Sequence, residues 1–175
     1  KEAGKAFIHI DEMISHPVLD KRYLNITEFN DRVLNSESIG EDMITPLILA
    51  DQVESSGRQA LELCTEIEAL STPDHNNYQI EINDIKSWSY LSLYFAAKLR
   101  AGVALDEAVR TGNRELQDQS VRYLEEAAAH WKELAGITSD QYQEVSLLHL
   151  RTFKFSWKSF YPEVLKDIEI AKTIM

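Results

Sequence analysis

The chain predicts an all-α fold: a single-domain helical bundle of roughly five to seven helices around a long apolar central helix. Three observations carry that expectation. The segment from Ile80 to Gly112 is apolar on nearly every face. Ile82, Ile85, Trp88, Leu91, Phe95, Leu99, Gly102, Leu105 and Val109 form one stripe, and Tyr90, Leu93, Tyr94, Ala97, Ala101, Ala104 and Ala108 fill much of the rest. A helix of that kind needs other helices around it. The 175 residues include only six glycines and four prolines, too few for a loop-rich sandwich or barrel. With 44% hydrophobic content, the chain can bury one real core.

Two shorter helices are expected first, over residues 3–15 (Phe7, Ile10, Ile14) and 26–35 (Ile26, Phe29, Val33), on either side of Pro17. Thr45 followed by Pro46 is an N-cap with proline in the first turn, and it opens a helix to about Leu70. In that helix Ala50, Val53, Gly57, Ala60, Cys64 and Ile67 recur in steps of three and four, a narrow seam through which a neighbour can approach closely. Ser71-Thr72-Pro73-Asp74, then His75-Asn76-Asn77, is a turn cluster and ends it. The central helix follows and stops at Gly112, a residue suited to a C-terminal cap. The next helix is expected from about Glu115 to Gly136, buried along Leu116, Ser120, Tyr123, Ala127, Trp131 and Leu134. Thr138-Ser139-Asp140 reads as the cap of a shorter helix holding Tyr142, Val145 and Leu148. The run from Phe153 to Trp157 is apolar at every second position and reads as extended. Pro162 opens the last helix, with Leu165, Ile168 and Ala171 facing inward. The expected organisation is short helices over 1–40 and the bundle core over 41–175, together one domain.

Charge narrows the function classes. Residues 33–85 carry Arg58 alone against eleven acids, whereas 86–175 balance twelve cations against twelve acids. An acidic third of this kind argues against nucleic acid as a partner, because phosphates would be repelled. No apolar run approaches the length needed to cross a bilayer, so no membrane span is expected. Cys64, the single cysteine, falls among apolar helix positions and reads as a small core residue. The start at Lys1, without methionine or a signal-type stretch, is what a domain cut from a longer protein would show.

No catalytic or metal-binding pattern emerges. None of the five histidines has an acid three residues before it, as a di-iron bundle would require. One cysteine and no His-x3-His speak against zinc. Tyr94-x3-Lys98 matches a dehydrogenase pair by spacing, yet no glycine-rich strand-to-helix turn precedes it to hold a dinucleotide. The expectation is no catalytic residue, no metal and no cofactor. Two features invite a ligand. Phe153, Phe155, Trp157, Phe160 and Tyr161 cluster beside Lys154 and Lys158; they read either as a stacking platform for a sugar or as rings plugging the end of the bundle. Lys98 and Arg100, set in an apolar helix, either meet an anionic ligand or form ion pairs with the acid-rich helix.

A family resemblance rests on Thr45-Pro-Leu-Ile-Leu-Ala-Asp-Gln52, Tyr90 through Arg100, Arg110-Thr-Gly-Asn-Arg114, Tyr123 through Ala135, Gln141-Tyr142, Trp157, and Pro162 through Ala171. Together they resemble the helical C-terminal region of large bacterial glycoside-hydrolase-like or carbohydrate-binding proteins, over about residues 41–172. The matching positions pack helices and carry no catalytic signature. The resemblance implies a non-catalytic accessory domain of an exported, periplasmic or extracellular carbohydrate-processing protein. Its partner would be an upstream catalytic domain, whose substrate cleft it packs on or completes. If this domain touches polysaccharide, Phe155, Trp157 and Tyr161 would stack on sugar rings, and Lys98 and Arg100 would meet a uronic-acid carboxylate. The alternative is a stand-alone tetratricopeptide-like interaction module whose acidic face binds a basic partner. A third class is a small-molecule sensor or enzyme with an internal pocket beneath Trp88 and Trp131.

Overall fold

The computed structural model describes residues 7–70, 75–146 and 154–174. Among these residues the order is α1 (Ile10–Ser15), α2 (Ile26–Leu34), α3 (Pro46–Glu68), α4 (His75–Thr111), α5 (Arg114–Gln141), β1 (Val145–Ser146), β2 (Lys154–Phe155), one 3-10 turn (Lys158–Phe160) and α6 (Tyr161–Thr173). The fold is an all-α bundle. Its only sheet among the described residues is the two-residue antiparallel pair β1–β2, with Val145 opposite Phe155.

Local chemistry sets several helix ends. The Asn25 side chain accepts from the Glu28 N–H while Glu28 reaches back to the Asn25 N–H, a capping box that starts α2. Thr45 accepts from the Ile48 N–H and Pro46 follows, so α3 begins where expected. Gly112 adopts φ +72°, a left-handed conformation that ends α4, and its N–H bonds the Ala108 carbonyl at 2.8 Å. The Asn113 side chain then caps α5 by accepting from the Glu115 N–H.

The three long helices run antiparallel in succession, with α4 between α3 and α5. Lys86 of α4 meets Glu68 at the end of α3, and Arg100 meets Asp51 near the start of α3. Across the other flank, the Ser120 hydroxyl donates to the Ala101 carbonyl and Gln141 to the Asp84 carboxylate. At Gly57 a Cβ would lie 3.0 Å from the Ser89 carbonyl oxygen, so the seam of small residues does bring α3 close to α4. The short helices α1 and α2 cross α4 further along, where Ile10, Met13 and Ile26 converge on Gly102. Asn30 ties α2 down by donating to the Val103 carbonyl and to Asp106. Helix α6 lies against α5, and Gln117 bonds the Ala171 carbonyl.

Four expectations need correction. Helix α4 is long, but it is not enclosed: Ile85, Trp88, Phe95 and Val109 are exposed. The crowded faces toward α3 and α5 are taken by small residues such as Ala97, Ala101, Ala104 and Ala108, which let neighbouring backbones approach. Ile85, Trp88, Phe95 and Val109 are left where no helix among the described residues covers them. Second, α5 does not stop at Gly136. The Thr138 and Ser139 hydroxyls bond back to the carbonyls of Leu134 and Ala135 within the helix instead of capping a new one. Val145 therefore enters β1, opposite Phe155, while Leu148 and Phe153 lie outside the described residues, as does the Ser71–Asp74 turn. Third, α6 is rotated relative to expectation: Val164 and Asp167 are buried with Ile168 and Ala171, and Leu165 is exposed. Fourth, two helix starts move: residues 7–9 are not helical and α1 begins at Ile10, residues 3–6 lying outside the described residues, while residues 75–77, expected in a turn, open α4.

Candidate functional site

The two cations singled out in the sequence stand two residues apart on α4, and such neighbours point to different faces. Arg100 turns toward the acid-rich α3, 2.7 Å from Asp51 Oδ1 and 2.6 Å from Glu54 Oε2. Lys98 turns the other way, into the core, where its Nζ lies 2.6 Å from Asp167 Oδ2 of α6. The same ammonium donates to the Ile8 carbonyl at 2.7 Å and to the Tyr94 hydroxyl at 3.1 Å, and sits 4.4 Å from the centre of the Phe7 ring. Asp167 in turn accepts from the Ile10 N–H at 2.9 Å and lies 3.1 Å from His9 Nδ1. Burial pulls the Lys98 pKa below the ordinary lysine value, with Asp167 pulling the other way. Burial, with Asp167 adding to it, pushes the Tyr94 hydroxyl far above the ordinary tyrosine value. The Tyr94–Lys98 pair is thus a core polar cluster that fastens the N-terminal segment to α4 and α6. Neither cation can meet an external carboxylate without giving up a partner inside the protein.

The aromatic cluster divides into plug and wall. Phe160 is buried, and Tyr161 is half-buried at the start of α6 against the core. Trp157 and Phe155 pack edge-on at 5.2 Å, and Trp157 packs likewise against Trp131 at 5.4 Å. The Trp131 indole N–H donates to the Trp157 carbonyl at 2.8 Å, which fixes that backbone onto α5. Phe155 and Trp157 line a cleft of about 450 Å³, and Tyr161 does not. The opposite part of the lining comes from α4 and the end of α5: Trp88, Ser87 and Asp84, then Thr138, Ser139 and Tyr142. Trp88 is 70% exposed. The Tyr142 hydroxyl donates to Asp84 in a short hydrogen bond, and Gln141 donates to the same oxygen at 2.7 Å. That bond to Asp84 raises the Tyr142 pKa above its usual value.

The cleft joins exposed indole and phenyl surface to hydroxyl, amide and carboxylate groups, a combination suited to a molecule with one apolar face and a polar edge. Trp88 is the member that sequence reasoning placed in the core. Its helical spacing is that of a buried stripe, but no helix among the described residues covers it. Among the described residues no group of three or more histidine, cysteine, aspartate or glutamate side chains could hold a metal, and Cys64 is buried with its thiol pKa raised by that burial. No helix among the described residues is long and apolar enough to cross a membrane.

Fold and cleft together define a helical-bundle module with an aromatic-walled groove at one side of its long helix. The solved structure of a GH138 enzyme targeting pectin rhamnogalacturonan II is similar to this fold, with a TM-score of 0.70 at 17% sequence identity. The similarity covers 85% of this chain but 19% of that one, so the chain spans about a fifth of that protein's length. No protein-family model matches the sequence, and no curated protein matches it either.

Proposed function

We propose that this chain is a non-catalytic helical accessory module of a carbohydrate-processing protein, and that the cleft walled by Trp88, Trp157 and Phe155 holds a sugar ring. The observation that carries this reading is Trp88. A 70% exposed indole beside a fixed Trp157 on one cleft is a poor solution for packing. It is a good one for stacking on the C–H face of a pyranose, with Asp84, Ser139 and Gln143 at the edge for hydroxyls. The fold supports the association, since it recurs within a much longer enzyme directed at pectin. By that analogy, the partner of this module is a catalytic domain of the same polypeptide.

Hydrolysis is assigned elsewhere on chemical grounds. Cleaving a glycosidic bond ordinarily takes two carboxyl groups facing each other across it. Asp84 is the only carboxylate among the described residues lining this cleft, and it is already engaged by Tyr142 and Gln141. The uronate role first expected of Lys98 and Arg100 passes to Lys158, which lines the cleft itself. The reading of an acidic docking face has less support, because Asp51, Glu54 and Glu68 on that face are paired with Arg100, Arg58 and Lys86.

Affinity electrophoresis through gels containing pectic polysaccharide tests the proposal. The wild-type chain should be retarded relative to a pectin-free gel, and Trp88→Ala should migrate as if the polysaccharide were absent. Equal mobility of wild type with and without pectin would refute the sugar cleft.

A further inference from the structure

A second, larger cavity lies on the other side of Trp157 and Leu91, which line both. Its volume is about 690 Å³, within the range of small-molecule sites. Tyr94 and Leu99 of α4 form part of its wall, with Phe7, Leu24, Leu49 and Trp131 around them. The segment His16–Asp20 borders it, and just beyond that segment Tyr23 bridges to Ile44, the Leu24 N–H donating to the Ile44 carbonyl and the Ile44 N–H to the Arg22 carbonyl. Leu19 in that segment is fully exposed at 105%, and Phe95, also on the lining, is exposed.

The charged side chains on this wall are already satisfied. Asp20 is paired with Arg22, and Lys98 is held by Asp167, the Ile8 carbonyl and Tyr94. The side chains of Thr45 and Asn25 are engaged as helix caps. His16, also on the lining, has its Nδ1 3.1 Å from the Pro17 carbonyl oxygen. A carboxylate or phosphate entering the cavity would lose its water and find, among the described residues, no unpaired lysine or arginine to replace it, a large penalty. A sugar would strand several hydroxyls against leucine and aromatic rings, at a cost for each. An uncharged, apolar molecule meets neither cost and gains by covering the rings. We propose that this cavity is a binding pocket for a neutral, predominantly apolar small molecule, distinct from the sugar cleft in both place and chemistry.

The test uses N-phenyl-1-naphthylamine, an uncharged dye whose fluorescence rises in apolar surroundings, titrated with the full chain. The expected result is saturable binding at one dye per chain. Leu99→Trp, which fills the cavity, should weaken binding about ten-fold or more, and Trp88→Ala should leave it unchanged. If Leu99→Trp loses the wild-type helical circular-dichroism signal, Leu49→Trp fills the cavity from α3 and should give the same loss. Dodecanol should displace the dye at least as well as dodecanoate does. The proposal is overturned by non-saturable binding or none. It is also overturned by undiminished binding in a folded cavity-filling variant, by loss of binding in Trp88→Ala, or by clear preference for dodecanoate. Because pectin retardation depends on Trp88 and dye binding does not, the two proposals stand or fall separately.

Discussion

Lys98 Nζ lies 2.6 Å from Asp167 Oδ2, and the two side chains are 2% and 1% exposed. This sealed ion pair joins the middle of α4 to α6, and through Ile8, His9 and Ile10 it fastens the N-terminal segment to both. Removing one member leaves the other charge buried without its partner, which costs about 3–5 kcal/mol. Lys98→Met and Asp167→Leu should each lower stability on that scale in urea unfolding. The double variant should lose clearly less than the sum, because no stranded charge remains. Additive losses would mean that the two charges do not sense each other.

Glu54 gives a pH dependence with a defined sign. Burial tends to raise its pKa, but the guanidinium groups of Arg58 and Arg100 outweigh burial and hold the carboxyl below its usual value. A depressed folded-state pKa contributes stability above the unfolded value of about 4.3 and loses it as pH falls through the folded value. The urea midpoint should therefore decline from about pH 5 downward. Glu54→Gln should flatten part of that decline while leaving the slope above pH 6 unchanged. An identical acid profile in the variant would show that the pairs contribute nothing.

Two glycines should respond to alanine with opposite signs. At Gly57 the new methyl would sit 3.0 Å from the Ser89 carbonyl oxygen and 3.3 Å from Ser92 Cβ, so α3 and α4 must separate. Overpacking of this kind costs about 1–3 kcal/mol. At Gly136, inside α5, nothing lies within 4 Å, and the substitution only removes backbone freedom from the unfolded chain. Gly136→Ala should stabilise by about 0.5–1 kcal/mol. Thermal melts of both variants distinguish the two cases.

The tryptophans should separate function from folding. Trp131 is 4% exposed and packs against Tyr94, Phe7 and Trp157, so Trp131→Ala should cost about 3–5 kcal/mol. Trp88→Ala should change stability by no more than about 0.5 kcal/mol, as for a surface position. A large loss for Trp88→Ala would mean that its ring packs in solution and is no ligand platform.

What the sequence makes legible is what short-range chemistry decides. Thr45-Pro46 opens a helix because a side-chain oxygen and a fixed φ act within one turn. Gly112 closes one because few other residues adopt its conformation. The small-residue seam on α3 shows in its spacing and is used for close packing. Other features depend on contacts distant in sequence. Lys98 reads as a charge in need of a partner, but that Asp167 and not α3 supplies it follows only from where α6 docks. An apolar stripe likewise shows that Trp88 and Phe95 suit a core without revealing whether a neighbour covers them. Among the described residues none does, and the open side of α4 is where the candidate cleft lies. Thr138 and Ser139 carry the same residue types as a cap, and only their bonds back to α5 decide otherwise.

The sugar cleft beside α4 is tested most directly by saturation-transfer difference NMR of the chain with rhamnogalacturonan fragments. The expected result is transfer to the ring C–H protons on one sugar face, abolished by Trp88→Ala in a variant that keeps wild-type stability. Absence of transfer to every fragment, or transfer that survives Trp88→Ala unchanged, would contradict it.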